Sequence, residues 1–363
     1  MEFIPSLSWF LLSAVLSAIF VPALMGPAQR FNLVDHPAGR KNHSLPTPLV
    51  GGIAIFLSLT ATHLLAGEML TQSATLMVAI LVTMAIGVAD DAHEIGHRSK
   101  FFAQLVAALL IVSGTEVHVM HLGDIVGLGD LVLGKWSYLV TVIAIIGLMN
   151  AINMIDGLDG LAGTQVLVPL LIFMGVAQAA GDATAAMELL VLAGAVCGFL
   201  LFNLHSPWRR RALVFLGDTG GLLLGLFLAW YSIRLAGADA SKIRPITAVW
   251  ILAVPLLDMG AVMFLRMLQK KSPFAADRQH LHFILRDIGF SVGQVVGMMA
   301  LASVALSLVA LLAEAYGVPE FAMFGAFVAI LLGYLAILAN PGIVARLPGA
   351  RAGSPVKVPD SPG

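Results

Sequence analysis

Acidic and amide side chains far apart in the sequence fall at the ends of apolar runs. Asp90 and Asp91 close LVTMAIGVADD, Asn153, Asp156 and Asp159 lie in LMNAINMIDGLDGLAG, and Asp218 sits at the head of the run in VFLGDTGGLLLG. Adjacent carboxylates push their pKa values apart, so one can serve as a base while the other binds a cation. Arg98 and Lys100 follow closely and can neutralise the pair or hold a phosphate. Asn150, Asn153 and Asp156 step by three, which puts neighbouring members on one helix face. The glycines behind them (Gly157, Gly160, Gly163) permit a tight turn and a new helix start, and oxygen ligands beside exposed N–H groups suit Mg²⁺ with a phosphate. Mn²⁺ accepts similar ligands. Asp218 with Thr219 reads either as a helix cap or as a metal ligand beside a backbone phosphate nest.

A further polar motif, DRQHLHF, runs from Asp277 to Phe283. Its Arg278, His280 and His282 can bind a diphosphate or a sugar, or form a solvated loop. The histidines are two apart, whereas a helical zinc pair wants i, i+4, and no HExxH occurs, so zinc is disfavoured. Asp258 in VPLLDMG either supports the site or pairs with Arg266. Asp35, His36, Arg40, Lys41 and His43 form a polar loop, read first as juxtamembrane charge. His63, His118 and His121 read as structural, and Phe215 as packing.

The elements that must position these groups are membrane spans. Of 363 residues, 59% are hydrophobic and 11% charged, with mean hydropathy +0.94; a soluble domain carries about 25% charged residues. The expected fold is an all-α polytopic membrane protein. A net charge of −1 gives no basic face for nucleic acid. The single cysteine, Cys197, excludes a disulfide framework. Eleven apolar segments are long enough to span, at about 7–25, 49–66, 72–89, 101–118, 136–152, 161–180, 186–203, 213–233, 245–265, 293–314 and 319–339. The first lacks a basic flank, carries Glu2 instead, and reads as a retained helix.

With an outside N-terminus, one side keeps only Lys135, Arg234, Lys242 and Arg244 of the 20 basic residues. The other side is then cytoplasmic, carries the C-terminus, and holds every acid cluster named above. Acids at a membrane edge are costly and mark function by default. Residues 1–340 form one integral domain with its largest cytoplasmic loop at 266–292, and 341–363 read as a flexible tail. The stretch around 116–135 alternates with glycine in the manner of a small hairpin. No repeat supports a transporter of inverted symmetry.

Taken together, DDAHEIGHRSK, NAINMIDGLDGLAG, FLGDTGGLLLG and SPFAADRQHLHF resemble the polyprenyl-phosphate N-acetylhexosamine-1-phosphate transferases over about residues 30–290. PLVGG, PLLDM and SPFAADRQH bring the chain nearest to the bacterial branch that uses undecaprenyl phosphate and UDP-GlcNAc. The resemblance implies Mg²⁺-dependent transfer of GlcNAc-1-phosphate to undecaprenyl phosphate, with release of UMP, in the bacterial inner membrane. The product would begin O-antigen, enterobacterial common antigen or another envelope glycan. A homodimer is compatible with this reading. By the same resemblance Asn153 and Asp218 hold the metal, and one of Asp90 and Asp91 deprotonates or orients the lipid phosphate. Asp156 and Asp159 belong to the nucleotide and catalytic motif, and Lys100 contacts phosphate. Phe215 stacks on uracil, while Arg278, His280 and His282 face the diphosphate and sugar. Phe283 stands where relatives often carry another histidine. The same chemistry on UDP-GalNAc or UDP-MurNAc-pentapeptide, and an ion-coupled transporter, are the competing readings.

Overall fold

The computed structural model describes residues 3–36, 45–67, 73–206, 208–237, 242–273 and 278–340. Arg40, Lys41 and His43 of the polar loop, Asp277 of the histidine motif and the expected tail lie outside the described residues. The helices are α1 (Phe3–Ala28), α2 (Gly51–Leu65), α3 (Ala74–His93), α4 (His97–Gly114), α5 (Ser137–Ile155), α6 (Leu161–Ala179), α7 (Ala183–Asn203), α8 (Gly217–Ala236), α9 (Pro245–Ile251), α10 (Ala253–Leu268), α11 (Leu281–Ile288), α12 (Val292–Ala315) and α13 (Glu320–Ala339). One small departure from all-α is an antiparallel pair, β1 (Val34–Asp35) with β2 (Thr47–Pro48), in which Val34 faces Pro48. The hairpin expected near 116–135 is present in short form: beside the antiparallel bridge of His121 with Val132, Leu133 donates to the Met120 carbonyl at 2.9 Å, Leu122 to that of Leu131 at 3.0 Å and Leu131 to that of Gly123 at 3.1 Å.

Each of the eleven expected segments contains a helix, but among the described residues eight helices are long and apolar enough to cross a membrane: α1, α3, α5, α6, α7, α8, α12 and α13. A ninth is gained if α9 and α10 count as one span despite the 83° bend between them. That bend has a local cause. Pro255 has no N–H to donate to the carbonyl four residues back, and its ring crowds that turn. α2, with 15 residues, is short, and α4 opens on His97, Arg98 and Lys100, which dilute its apolar character. The expected ends also shift. α3 runs on through Asp90 and Asp91 to His93, stopping where Glu94 adopts φ +48.

α8 is the axis of the bundle, packed by α2, α3, α5 and α6 and buried along nearly its whole length. Apolar burial gives little drive for association among lipid tails, so spans adhere through close backbone approach and interhelical hydrogen bonds. Two glycines permit that approach beside the polar end of α8. A methyl on Gly52 would run into the backbone of Gly220 and Thr219, and one on Gly87 would strike the backbone of Thr219. The start of α8 is also tied to α2, with Gly51 and Gly52 donating to the carbonyls of Phe215 and Leu216 at 3.0 and 2.9 Å.

Gly52→Ala and Gly87→Ala should each lower thermal stability in detergent by about 1–3 kcal/mol, because backbone rather than a flexible side chain must move. Gly175, a helical glycine with open space around it, is the control. Its change to alanine should be neutral or stabilise by about 0.5–1 kcal/mol. Equal melting shifts at all three positions would remove the close-approach argument.

Candidate active site

The end of α3 meets the beginning of α8. Carboxylates at a helix C-terminus oppose the helix dipole, while those at an N-terminus favour it. Asp91 resolves the conflict by serving a different helix from its own. Its Oδ1 accepts from the Asp218 N–H at 2.7 Å, and its Oδ2 accepts from the Thr219 N–H at 3.0 Å and from Thr219 Oγ1 at 2.6 Å. Both oxygens of Asp91 are thus spent on holding the first turn of α8.

Asp90 points to another partner. Lys100, in the first turn of α4, donates to Asp90 Oδ2 at 2.5 Å and to Asp218 Oδ2 at 3.2 Å. Asp90 is almost fully buried, whereas Asp218 keeps about a third of its side-chain surface. Asn153, on the last turn of α5, donates through Nδ2 to Asp218 Oδ1. Lys100 of α4 and Asn153 of α5 therefore converge on a carboxylate of α8, with Asp90 of α3 on the same ammonium. Asn150 stands apart and exchanges hydrogen bonds with Gln104 across α4 and α5.

Asp156 follows the last residue of α5. Its carboxylate accepts no hydrogen bond among the described residues, and loss of surrounding water raises its pKa to about 8, with the charges of Asp218, Asp91 and Asp159 adding to the effect. Asp159, expected beside it in the catalytic motif, is engaged elsewhere. Its Oδ2 accepts from His205 Nε2 at 2.7 Å and from the Ala212 N–H at 2.8 Å, so it anchors the connection from α7 to α8. Asn203 completes that anchor, accepting from the Gly160 N–H at 2.7 Å and donating to the Val214 carbonyl at 2.8 Å. Neither Asn203 nor His205 stood out in the sequence. The signal was an amide closing the apolar run FLLFN, the same signal that marked Asp90.

Among the described residues no three His, Cys, Asp or Glu form a ready ligand set for a metal. The oxygen-rich surface instead consists of Asp90 and Asp218 on the Lys100 ammonium, Asn153 on Asp218, and Asp156 within reach of the Asp218 charge. Phe215 lies at the junction of α2 and α8, donating to the Pro48 carbonyl at 2.9 Å, with its ring half-buried.

The histidine motif reaches the same end of the bundle through α11. His280 and His282 differ sharply. His280 Nδ1 lies 2.7 Å from Asp258 Oδ2, and Arg266 Nη2 lies 3.4 Å from His280 Nε2. A guanidinium only donates, so His280 accepts at Nε2 and donates from Nδ1 to Asp258. Asp258 also accepts from the Leu281 N–H at 2.8 Å and from Tyr334 Oη of α13 at 2.7 Å. Its expected pairing with Arg266 is thus replaced by one with His280, and Arg266 donates to the Pro273 carbonyl at 2.6 Å. His282 is fully buried, and neither ring nitrogen has a hydrogen-bond partner among the described residues. Burial pulls its pKa down to about 4, so the ring is neutral at pH 7. It lies against Gly157, where a side chain would meet its Nε2. Arg278 is half-exposed, 3.6 Å from Asp287 and stacked over Phe283.

Asp91 and Asp90 should therefore separate on stability. Asp91→Asn turns a donor toward the N–H groups of α8 and should cost about 1–2 kcal/mol, read as a lower melting temperature. Asp90→Asn removes a buried charge beside Asp218 and should not lower it. A larger loss from Asp90→Asn would reverse the two assignments.

The sequence profile of glycosyl transferase family 4 matches residues 73–236, the stretch from α3 through α8 that builds most of this site. Among curated proteins, the undecaprenyl-phosphate alpha-N-acetylglucosaminyl 1-phosphate transferase of Salmonella typhi is 32% identical, over 90% of this chain and 89% of the relative. The protein of that name from Haemophilus influenzae is 33% identical over 88% and 90%, and that of Escherichia coli K12 31% identical over 83% and 82%. With relatives aligned over nearly their full length and the family's own segment carrying the convergent acids, the chain belongs to glycosyl transferase family 4.

Proposed function

We propose that this chain transfers GlcNAc-1-phosphate from UDP-GlcNAc to undecaprenyl phosphate, releasing UMP and forming the first lipid-linked intermediate of a cell-envelope glycan. The observation that carries this reading is the meeting of Lys100, Asp90, Asn153 and Asp218 at one end of the bundle, beside the unbonded Asp156 and the unpartnered His282. The relatives' shared name supplies the substrates. The finer topology proposed is eleven spans with the N-terminus outside and the C-terminal tail and site on the cytoplasmic side of a bacterial inner membrane.

Asp218 and Asn153 are the residues proposed to hold Mg²⁺, or Mn²⁺ in its place. They adjoin, and a half-turn of the Asn153 amide presents its oxygen beside Asp218 Oδ1. Two protein ligands suffice, because Mg²⁺ usually keeps water and takes substrate phosphates as further ligands. Once bound, Mg²⁺ would offset negative charge on the diphosphate and lower the barrier to phosphoryl transfer.

The remaining roles follow from what each side chain has left to give. Asp90, held by Lys100 and adjoining Asp218, accepts the proton of the incoming lipid phosphate or orients its oxygen. Lys100 moves its donors from carboxylate to phosphate. The lipid phosphate oxygen attacks the β-phosphorus in line, the bond from that phosphorus to the UMP oxygen breaks, and UMP departs. Phe215 offers a ring for uracil. His282 donates one ring N–H to the diphosphate or sugar, relieving a buried polar group that otherwise costs about 1–3 kcal/mol. Arg278 adds charge at the rim. Asp91, Asp159 and His280 are positioning residues, since their polar atoms are already engaged.

Purified protein offered a panel of UDP-sugars with undecaprenyl phosphate should release UMP with UDP-GlcNAc, lose that release in EDTA and regain it with Mg²⁺. Asp218→Asn should lower turnover by about 10²-fold or more without loss of folded protein. Release that ignores EDTA or needs no lipid phosphate would defeat the proposal. Preference for UDP-GalNAc would move it to a sister specificity.

A further inference from the structure

The connection between α7 and α8 holds a cluster of cations that the site does not use. Arg209, Arg210 and Arg211 follow Trp208 directly. Arg209 is consumed internally. Its Nη2 donates to the carbonyls of Leu201 and Leu204 at 2.8 and 2.9 Å, closing the C-terminus of α7, and its Nε donates to the Arg211 carbonyl at 3.0 Å. Arg210 and Arg211 are exposed and make no ion pair among the described residues. Trp208 is 92% exposed, and Leu201, on the last turn of α7, is 66% exposed.

The loop is not a loose tip. Ser206 and Arg209 exchange backbone hydrogen bonds at 2.7 and 3.1 Å, and Asp159 grips it from both sides through His205 and Ala212. A full membrane span, α7, ends at Asn203. The residues just past such an end sit at headgroup level, where tryptophan rings settle and where each cation attracts anionic lipid. An indole and a leucine beside two unpaired guanidinium groups, on a braced loop at that depth, match an anionic phospholipid in both charge and apolarity.

We propose that Trp208, Arg210 and Arg211 form a docking surface for anionic phospholipid headgroups of the surrounding bilayer. Arg210 and Arg211 bind the phosphate, and the Trp208 ring lies at the acyl boundary. Arg209 is left out of this role because its Nε and Nη2 already donate to carbonyls.

The test uses the full chain in nanodiscs of phosphatidylcholine carrying a minor fraction of either brominated phosphatidylglycerol or brominated phosphatidylcholine. Bromine quenches nearby indoles. Quenching should be stronger with the anionic lipid, and Trp208→Phe should abolish the difference. Apparent affinity for the anionic lipid should fall about five-fold for each arginine changed to glutamine, while Arg210→Lys with Arg211→Lys retains most of it. Equal quenching by both lipids, or an unchanged preference in the double glutamine variant, would overturn the proposal. So would displacement of the lipid by UDP-GlcNAc, which would give these cations to the nucleotide sugar instead. The readout needs no turnover, so it stands whether or not the transferase assignment does.

Discussion

The site depends on a carboxylate that neutralises the end of a helix other than its own. Asp91 lies in the last turn of α3, where a negative charge is disfavoured, yet it takes the N–H groups of Asp218 and Thr219 and the Thr219 hydroxyl at the head of α8. That contact turns an electrostatic liability into a joint between two spans, and it sets the direction in which Asp218 projects. Lys100 completes the arrangement from α4 by sharing its ammonium between Asp90 and Asp218. Without those partners the neighbouring acids would repel one another in a poorly hydrated place.

Much of this was legible because acids are so rare in so apolar a chain. Asp90, Asp91, Asn153, Asp156 and Asp218 stood out at the ends of apolar runs, and the structure gathers them at one end of the bundle. Their division of labour was not legible. Asp90 and Asp91 are neighbours of identical type, and only the packing of α3 on α8 decides which is spent on backbone. Asp159 looked equivalent to Asp156 in the sequence, yet Asp159 is bonded to His205 and Ala212 while Asp156 has no such bond. The eleven apolar segments each yield a helix, but apolar length alone could not reveal the 83° bend after α9 or the shortness of α2.

The histidine motif shows the same logic. His280 and His282 are two residues apart on a short element and would read as a pair, yet one is saturated and the other bare. The difference arises from Asp258 and Arg266, which lie on α10 before the motif, and from Tyr334 beyond it. Hydrogen bonds worth about 1 kcal/mol each thus fix the tautomer of one ring and leave the second facing the turn at Gly157.

Tyr334 belongs to α13, the helix that follows all the others described in the chain. Its bond to Asp258 is made across 76 residues of sequence. During synthesis the clustered acids emerge long before that tyrosine does. A nascent chain can therefore gather its acid cluster early, but its histidine arm acquires the Tyr334 brace only when α13 has taken its place, which couples the bracing of that arm to the insertion of the last described helix.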